Sequence, residues 1–175
     1  MDNQQGKNLD GAWLGGFLDG EGSFIMLRHA RGTKGYPYSQ QWKPAIKVAG
    51  THEPTLGTVT GILTGLGLPF HVYRRQPKKP TWSPSWYVEV VGLKRCLRWC
   101  DSLLIYLRTK REDAELMREY CETRLAQKPT WNIPQDRKGA KPQQTDRQLE
   151  IISRLRGRHG GVHLKYPSET TRPTA

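Results

Sequence analysis

Between residues 9 and 127 the chain switches repeatedly between two hydrophobic periods. Apolar residues recurring every three or four positions predict helices, and apolar residues at every second position predict strands with one buried face. The first helical stretch starts near Leu9 or Asp10, with Asp10 as its N-cap, and runs to the acids Asp19 and Glu21. Phe24 to Arg31 reads as a strand, closed by a turn region containing Gly32, Gly35 and Pro37. Next, Trp42, Pro44, Ile46 and Val48 alternate with Lys43, Ala45, Lys47 and Ala49, giving a strand with one apolar face and one small or cationic face. A second helix, capped by Thr51, carries Leu56, Val59, Leu63 and Leu66 on one side and is stopped by Gly67 and Pro69.

The pattern then repeats. Phe70 to Arg75 forms a third strand, in which Phe70 and Val72 oppose His71, Tyr73 and Arg75. A Pro- and Lys-rich loop, Gln76 to Pro84, leads to a fourth strand from Trp86 to Val91. A third helix places Leu93, Leu97, Cys100, Leu104 and Leu107 on one face, and a fourth, from Arg111 or Asp113, does so with Ala114, Met117, Cys121 and Leu125. The order α-β-β-α-β-β-α, with helical additions, is that of an α+β domain whose sheet has one face under helices and the other exposed. No stretch repeats internally.

Beyond Lys128 the texture changes. Lys128 to Gln144 is polar and proline-bearing and reads as an extended wrap or linker. Thr145-Asp146-Arg147-Gln148 fits a capping box and opens a short helix to about Arg156, ended by Gly157. The expected division is a core over 1–127, a C-terminal extension with a short helix over 128–160, and a loosely ordered tail over 161–175, fraying from Ser168.

Composition narrows the partner. With 28 Lys and Arg against 16 Asp and Glu, the chain has a formal net charge of +12 and a pI near 9.9, which points to a polyanion, nucleic acid being the commonest. Cys96, Cys100 and Cys121 form no disulfide framework and are expected as buried thiols in a reducing compartment. Neither Cys96 with Cys100 nor His159 with His163 has the second ligand pair or helical setting of a metal site. The N-terminus lacks an apolar signal core, and the longest apolar run, Leu103 to Leu107, is too short to span a bilayer. The expected location is cytoplasmic and nucleoid-associated, or an organellar matrix, and not secreted.

The chemistry concentrates at Leu14-Gly15-Gly16-Phe17-Leu18-Asp19-Gly20-Glu21-Gly22. Glycine inside a helix costs about 1 kcal/mol relative to alanine, so several of them there need a reason. Ala12, Gly16 and Gly20 lie four apart on one face, bare enough for a second helix backbone to approach closely. The same helix delivers Asp19 and Glu21 to its end. A seam of this kind, terminating in carboxylates, suggests a paired-helix interface that holds metal ions.

These nine residues resemble the signature of the LAGLIDADG homing endonucleases, apolar-small-Gly-apolar-apolar-Asp-Gly-acid-Gly. The resemblance implies a saddle-shaped, antiparallel four-stranded sheet that binds a long, pseudo-palindromic double-stranded DNA site and cuts both strands across the minor groove. Only one copy of the motif is present, because Leu63-Thr64-Gly65-Leu66-Gly67 lacks the acids. An isologous homodimer is therefore expected, through Ala12, Gly15, Gly16, Asp19 and Gly20. The resemblance further implies Mg²⁺ as cofactor, with Mn²⁺ able to substitute and Ca²⁺ binding without supporting cleavage. Glu21 matches the direct metal ligand, assisted by the carbonyl of Gly20, and Asp19 matches the motif's first acid, counted with Glu21 and Lys110 as catalytic, whether as a direct ligand, just outside the direct ligands, or structural. Lys110 matches the family's basic catalytic residue, while the polar group usual at the end of the second strand falls on Gly50, a departure from the pattern.

For DNA contacts the strand patterns select Lys43, Lys47, Tyr73 and Arg75, opposite the apolar sets, with Arg28, His29 and Arg31 as additions from the first strand. Arg74, Lys78 and Lys79 are expected on phosphates. Two further readings share this fold: an intron RNA maturase, and a DNA-binding regulator that does not cut.

Overall fold

One antiparallel sheet, with strand order β1-β2-β4-β3, supports every other element of the domain. The computed structural model describes residues 3–30, 40–77, 81–127 and 144–158. The elements are α1 (Asn3–Glu21), β1 (Gly22–Ala30), β2 (Gln40–Gly50), α2 (Glu53–Gly65), β3 (His71–Arg75), β4 (Ser85–Val91), α3 (Leu93–Leu103), α4 (Arg111–Ala126) and α5 (Asp146–Arg158). A 3₁₀ turn, Leu104–Tyr106, follows α3. The sequence order α-β-β-α-β-β-α is thus the observed one.

Register explains the layering. Gly22 pairs with Val48, Phe24 with Ile46 and Met26 with Pro44, and Ile46 and Val48 in turn oppose Val90 and Val88. Alternation sends this set to one face. There it meets Leu14 and Leu18 of α1, Leu56, Val59 and Leu63 of α2, Trp99 and Leu103 of α3, and Met117 and Tyr120 of α4 in a single hydrophobic core. Among the described residues the helices lie on that face alone, so the other is left open by them, as the strand patterns imply.

Several boundaries differ from expectation for local reasons. Helix α1 begins at Asn3, which puts Asp10 inside the helix and not at its cap. Helix α2 starts at Glu53 with His52 at the N-cap and Pro54 in its first turn, one residue later than a Thr51 cap requires. The His52 ring instead bonds the Thr55 hydroxyl at 2.7 Å. Helix α5 continues through Gly157 to Arg158.

The C-terminal extension returns to the domain. Ile151, Ile152 and Leu155 of α5 belong to the same core as the sheet, and burial of such side chains is worth roughly 1.5–3 kcal/mol each. Its start is the expected capping box: the Gln148 N–H donates to the Thr145 hydroxyl and the Thr145 N–H to the Gln148 side chain. Arg147 pairs with Glu119 of α4, and Arg156 stacks over Trp42 of β2 at 4.7 Å.

Cys96, Cys100 and Cys121 are buried free thiols. Burial pushes Cys96 up to about 12 and the other two higher still, which keeps all three protonated and unreactive. Among the described residues no helix is long and apolar enough to cross a membrane.

Candidate active site and nucleic-acid interface

Helix α1 runs without a loop into β1, and the two acids at that junction have different surroundings. Residues two apart on a helix do not share a face. Asp19 turns inward and accepts the backbone N–H of Arg108 at 2.7 Å and of Lys110 at 2.9 Å. Its partial burial opposes ionisation, but the N–H groups of Lys110, Arg108 and Thr109 and the Lys110 charge outweigh that and hold the carboxyl below its usual value. Glu21 is exposed and makes no hydrogen bond or ion pair among the described residues.

Lys110 completes the junction from the other side. Its ammonium donates to the carbonyls of Leu18 at 3.0 Å, Gly20 at 3.3 Å and Gly22 at 2.5 Å. The first two are terminal carbonyls of α1, where a cation also opposes the negative end of the helix dipole, and the third opens β1. Burial lowers the ammonium's proton affinity, and the nearby Asp19, Glu21 and Asp113 reverse only part of that. Asp19, Glu21, Gly20 and Lys110 therefore converge on one helix end, as the motif and the segment after the third helix suggest. Gly50 ends β2 opposite Trp86, with the exposed Thr51 beside it.

The small residues of α1 divide into two faces. Gly11 and Gly15 point inward, where a Cβ on either would come within 2.5 Å of Tyr106. The bareness of Gly15 therefore serves a contact inside the chain, which takes it off the seam expected between copies. Ala12, Gly16 and Gly20 are exposed, and a Cβ at Gly16 or Gly20 meets nothing within 4 Å. Leu9 at 67% and Trp13 at 42% exposure flank this ridge, with Trp13 stacked on Phe17 at 5.3 Å. Apolar groups beside a bare ridge form a surface suited to a second helix.

On the open face of the sheet, register gathers Lys43 and Lys47 of β2, Tyr87 and Glu89 of β4, and His71, Tyr73 and Arg75 of β3. Lys43, Lys47, Tyr73 and Arg75 were expected there. Lys47 sits opposite Glu89 and forms an ion pair at 3.1 Å, both side chains being 14% exposed. Tyr73 and Tyr87 stack at 5.0 Å, and the Lys47 ammonium lies 5.5 and 5.2 Å from their centroids. Burial alone would lower the Lys47 pKa, but bonds to Tyr73 and Glu89 and their charges raise it, so the group stays cationic.

Arg28 and Arg74 fall on the other side. Arg28 pairs with Trp42 in the register that carries Phe24 and Met26, and Arg74 pairs with Trp86 and stacks over it at 5.4 Å. Both are exposed beyond the edge of the core, off the open face. His29 pairs with Gln41, its side chain outside the described residues. Arg31, Lys78 and Lys79 also lie outside them, as do the turn at Gly32, Gly35 and Pro37, the stretch 128–143 and the tail from 161. Sequence reasoning missed Glu89 and Tyr106. The alternation of Tyr87 and Glu89 with Val88 and Val90 held the signal for the first, whereas nothing local marks Tyr106 as the partner of two glycines.

No family model matches the chain, and no curated protein matches it in sequence. Solved structures do match its fold. An archaeal intron-encoded homing endonuclease, I-Vdi141I, complexed with DNA, superposes with a TM-score of 0.62 at 13% identity, covering 91% of this chain and 89% of that one. The homing endonuclease I-CvuI in complex with its target in the presence of calcium gives 0.53 at 24% identity, over 66% of this chain and 68% of that one. Meganuclease I-SmaMI bound to uncleaveable DNA gives 0.53 at 16% identity, over 84% of this chain and 43% of that one. With the nine-residue motif at the end of α1, the chain has the fold of the LAGLIDADG homing endonucleases.

Proposed function

We propose that this protein is a homodimeric, Mg²⁺-dependent homing endonuclease that cuts both strands of a long, pseudo-palindromic DNA site across the minor groove. The observation that carries the reading is the pairing of an open ridge on α1, at Ala12, Gly16 and Gly20, with an exposed Glu21 at its end that has no hydrogen bond or ion pair among the described residues. Two copies related by a two-fold axis would pack ridge against ridge and set two Glu21 carboxylates side by side. The net charge of +12 and the cations of the open sheet face support DNA as the ligand, with β-strands entering the major groove of each half-site.

The donors suit a hard divalent cation in part. At this helix end each chain offers the Glu21 carboxylate, without a hydrogen bond or ion pair among the described residues, and the Gly20 carbonyl, and among the described residues no set of three His, Cys, Asp or Glu gathers in one chain. A full ligand set therefore requires the second copy and DNA oxygens. Bound Mg²⁺ supplies charge neutralisation at the phosphoryl group and an activated water. Glu21 would hold it. Asp19, committed to backbone N–H groups, would position the segment bearing Lys110. Lys110 would keep the α1 terminus in place and hold positive charge beside the scissile phosphate.

A plasmid carrying the uninterrupted host gene tests the reading. Purified protein with Mg²⁺ should linearise it and spare the same gene with its intron inserted. Absence of cleavage in Mg²⁺ and Mn²⁺, together with tight binding of intron RNA, would replace nuclease with maturase.

A further inference from the structure

We infer that Glu89, held by Lys47, is a specificity-determining residue that selects a cytosine, paired with guanine, at one position in each half-site. The inference rests on the DNA reading above and adds a base identity to it. Among the described residues Glu89 is the one acid on the open face of the sheet. An acid at the centre of a surface meant to attract phosphates weakens non-specific binding, because it cancels Lys47 and repels the backbone. Lys43 and Arg75 on the same face have no ion pair among the described residues, so the neutralisation is local to one point.

At that point the groups are already held in place. One carboxylate oxygen, Oε2, accepts from Lys47 Nζ at 3.1 Å and from the Tyr73 hydroxyl at 3.3 Å. The other, Oε1, accepts no hydrogen bond among the described residues. The Tyr73–Tyr87 stack beneath Lys47 fixes the pair from the side. Little side-chain freedom is left to lose on binding.

The face thus presents a free acceptor next to a fixed cation. In the major groove a carboxylate accepts from the cytosine N4 amino group, and lysine donates to guanine O6 and N7. Those edges are adjacent on one G·C pair, so Glu89 and Lys47 fit a single base pair together. A guanine or thymine facing Glu89 would set acceptor against acceptor, and an adenine would bring its N7 acceptor beside its N6 amino group and leave Lys47 the single thymine O4 in place of guanine O6 and N7.

Selection from a randomised double-stranded DNA library, bound in Ca²⁺ and sequenced, tests this with the full-length wild type, Glu89→Gln and Lys47→Gln, each checked by a melting curve. The wild type should enrich cytosine at two symmetry-related positions. Both substitutions should relax that same base pair by roughly tenfold and leave the other positions unchanged. Enrichment of no sequence by the wild type overturns the DNA reading and this inference with it. An enriched site that neither variant alters, or one whose altered position is not a G·C pair with cytosine on the Glu89 side, overturns this inference alone.

Discussion

The Asp19 carboxylate accepts the backbone N–H of Lys110 at 2.9 Å, while the Lys110 ammonium donates to the Gly20 carbonyl at 3.3 Å, in the same turn of helix as Asp19. The two residues lie 91 positions apart and lock the motif helix to the segment that opens α4. One acid of the motif is thereby used in holding the structure, while the other, Glu21, stays exposed.

Because its folded-state pKa is depressed, Asp19 contributes stability that is fully present above its unfolded value and lost as pH falls through the folded one. The melting temperature of the wild type should therefore drop below about pH 4, and Asp19→Asn should flatten that drop while costing about 1–3 kcal/mol at neutral pH. Urea unfolding across a pH series measures both. An unchanged acid limb in the variant removes Asp19 from this role.

Gly15 and Gly16 should respond oppositely to the same substitution. Gly15→Ala drives a methyl into Tyr106 and should destabilise by roughly 1–3 kcal/mol. Gly16→Ala enters open space and should stabilise an isolated chain by up to about 1 kcal/mol through helix propensity. Gly16→Leu should weaken self-association in sedimentation on DNA. Equal costs for the two alanines, or a Gly16→Leu dimer of wild-type strength, contradict the division of faces.

Glu21→Gln should reduce cleavage by at least about a hundredfold with little change in specific DNA affinity, since it removes a charge needed in the transition state more than in binding. Lys110→Met should lose cleavage too, but with about 1 kcal/mol of stability besides, because the carbonyls of Leu18, Gly20 and Gly22 at the α1–β1 junction lose their donor. Gel-shift, cleavage and unfolding assays on the two variants separate these cases. A Lys110→Met protein of full stability would show that the cap contributes nothing.

Helix α5 should behave as part of the domain. Leu155→Ala, at a site with 0% exposure, should cost about 2–5 kcal/mol in urea unfolding. Truncation after residue 143 should expose Trp42 and Tyr120 and lower the melting temperature of the whole domain in one transition. A truncated protein that melts like the full chain would make α5 an appendage.

Much of the site was legible because its signals are local. The glycine- and acid-bearing stretch from Leu14 to Gly22 needs no partner to be recognised, and the alternation in β2 alone puts Lys43 and Lys47 on the face opposite Ile46 and Val48. Glu89 was not legible as Lys47's partner, because that contact depends on the pairing of β2 with β4. A one-residue slip would send it to the other face.

By itself the sequence determined the order of helices and strands and the strand faces, which follow from periods of two to four residues along the backbone, and the basic balance and the single motif, which need only composition and one contiguous run of residues. Tertiary structure decided which glycine serves which contact: one step along α1 turns the backbone by about 100°, and Tyr106 claims Gly15 while leaving Gly16 bare. It also decided that Asp19 is held by the segment after α3, that Arg28 leaves the open face, and that α5 returns to the core. Each of these joins groups far apart in the chain. Their meeting is set by how whole elements pack, and no local pattern encodes it.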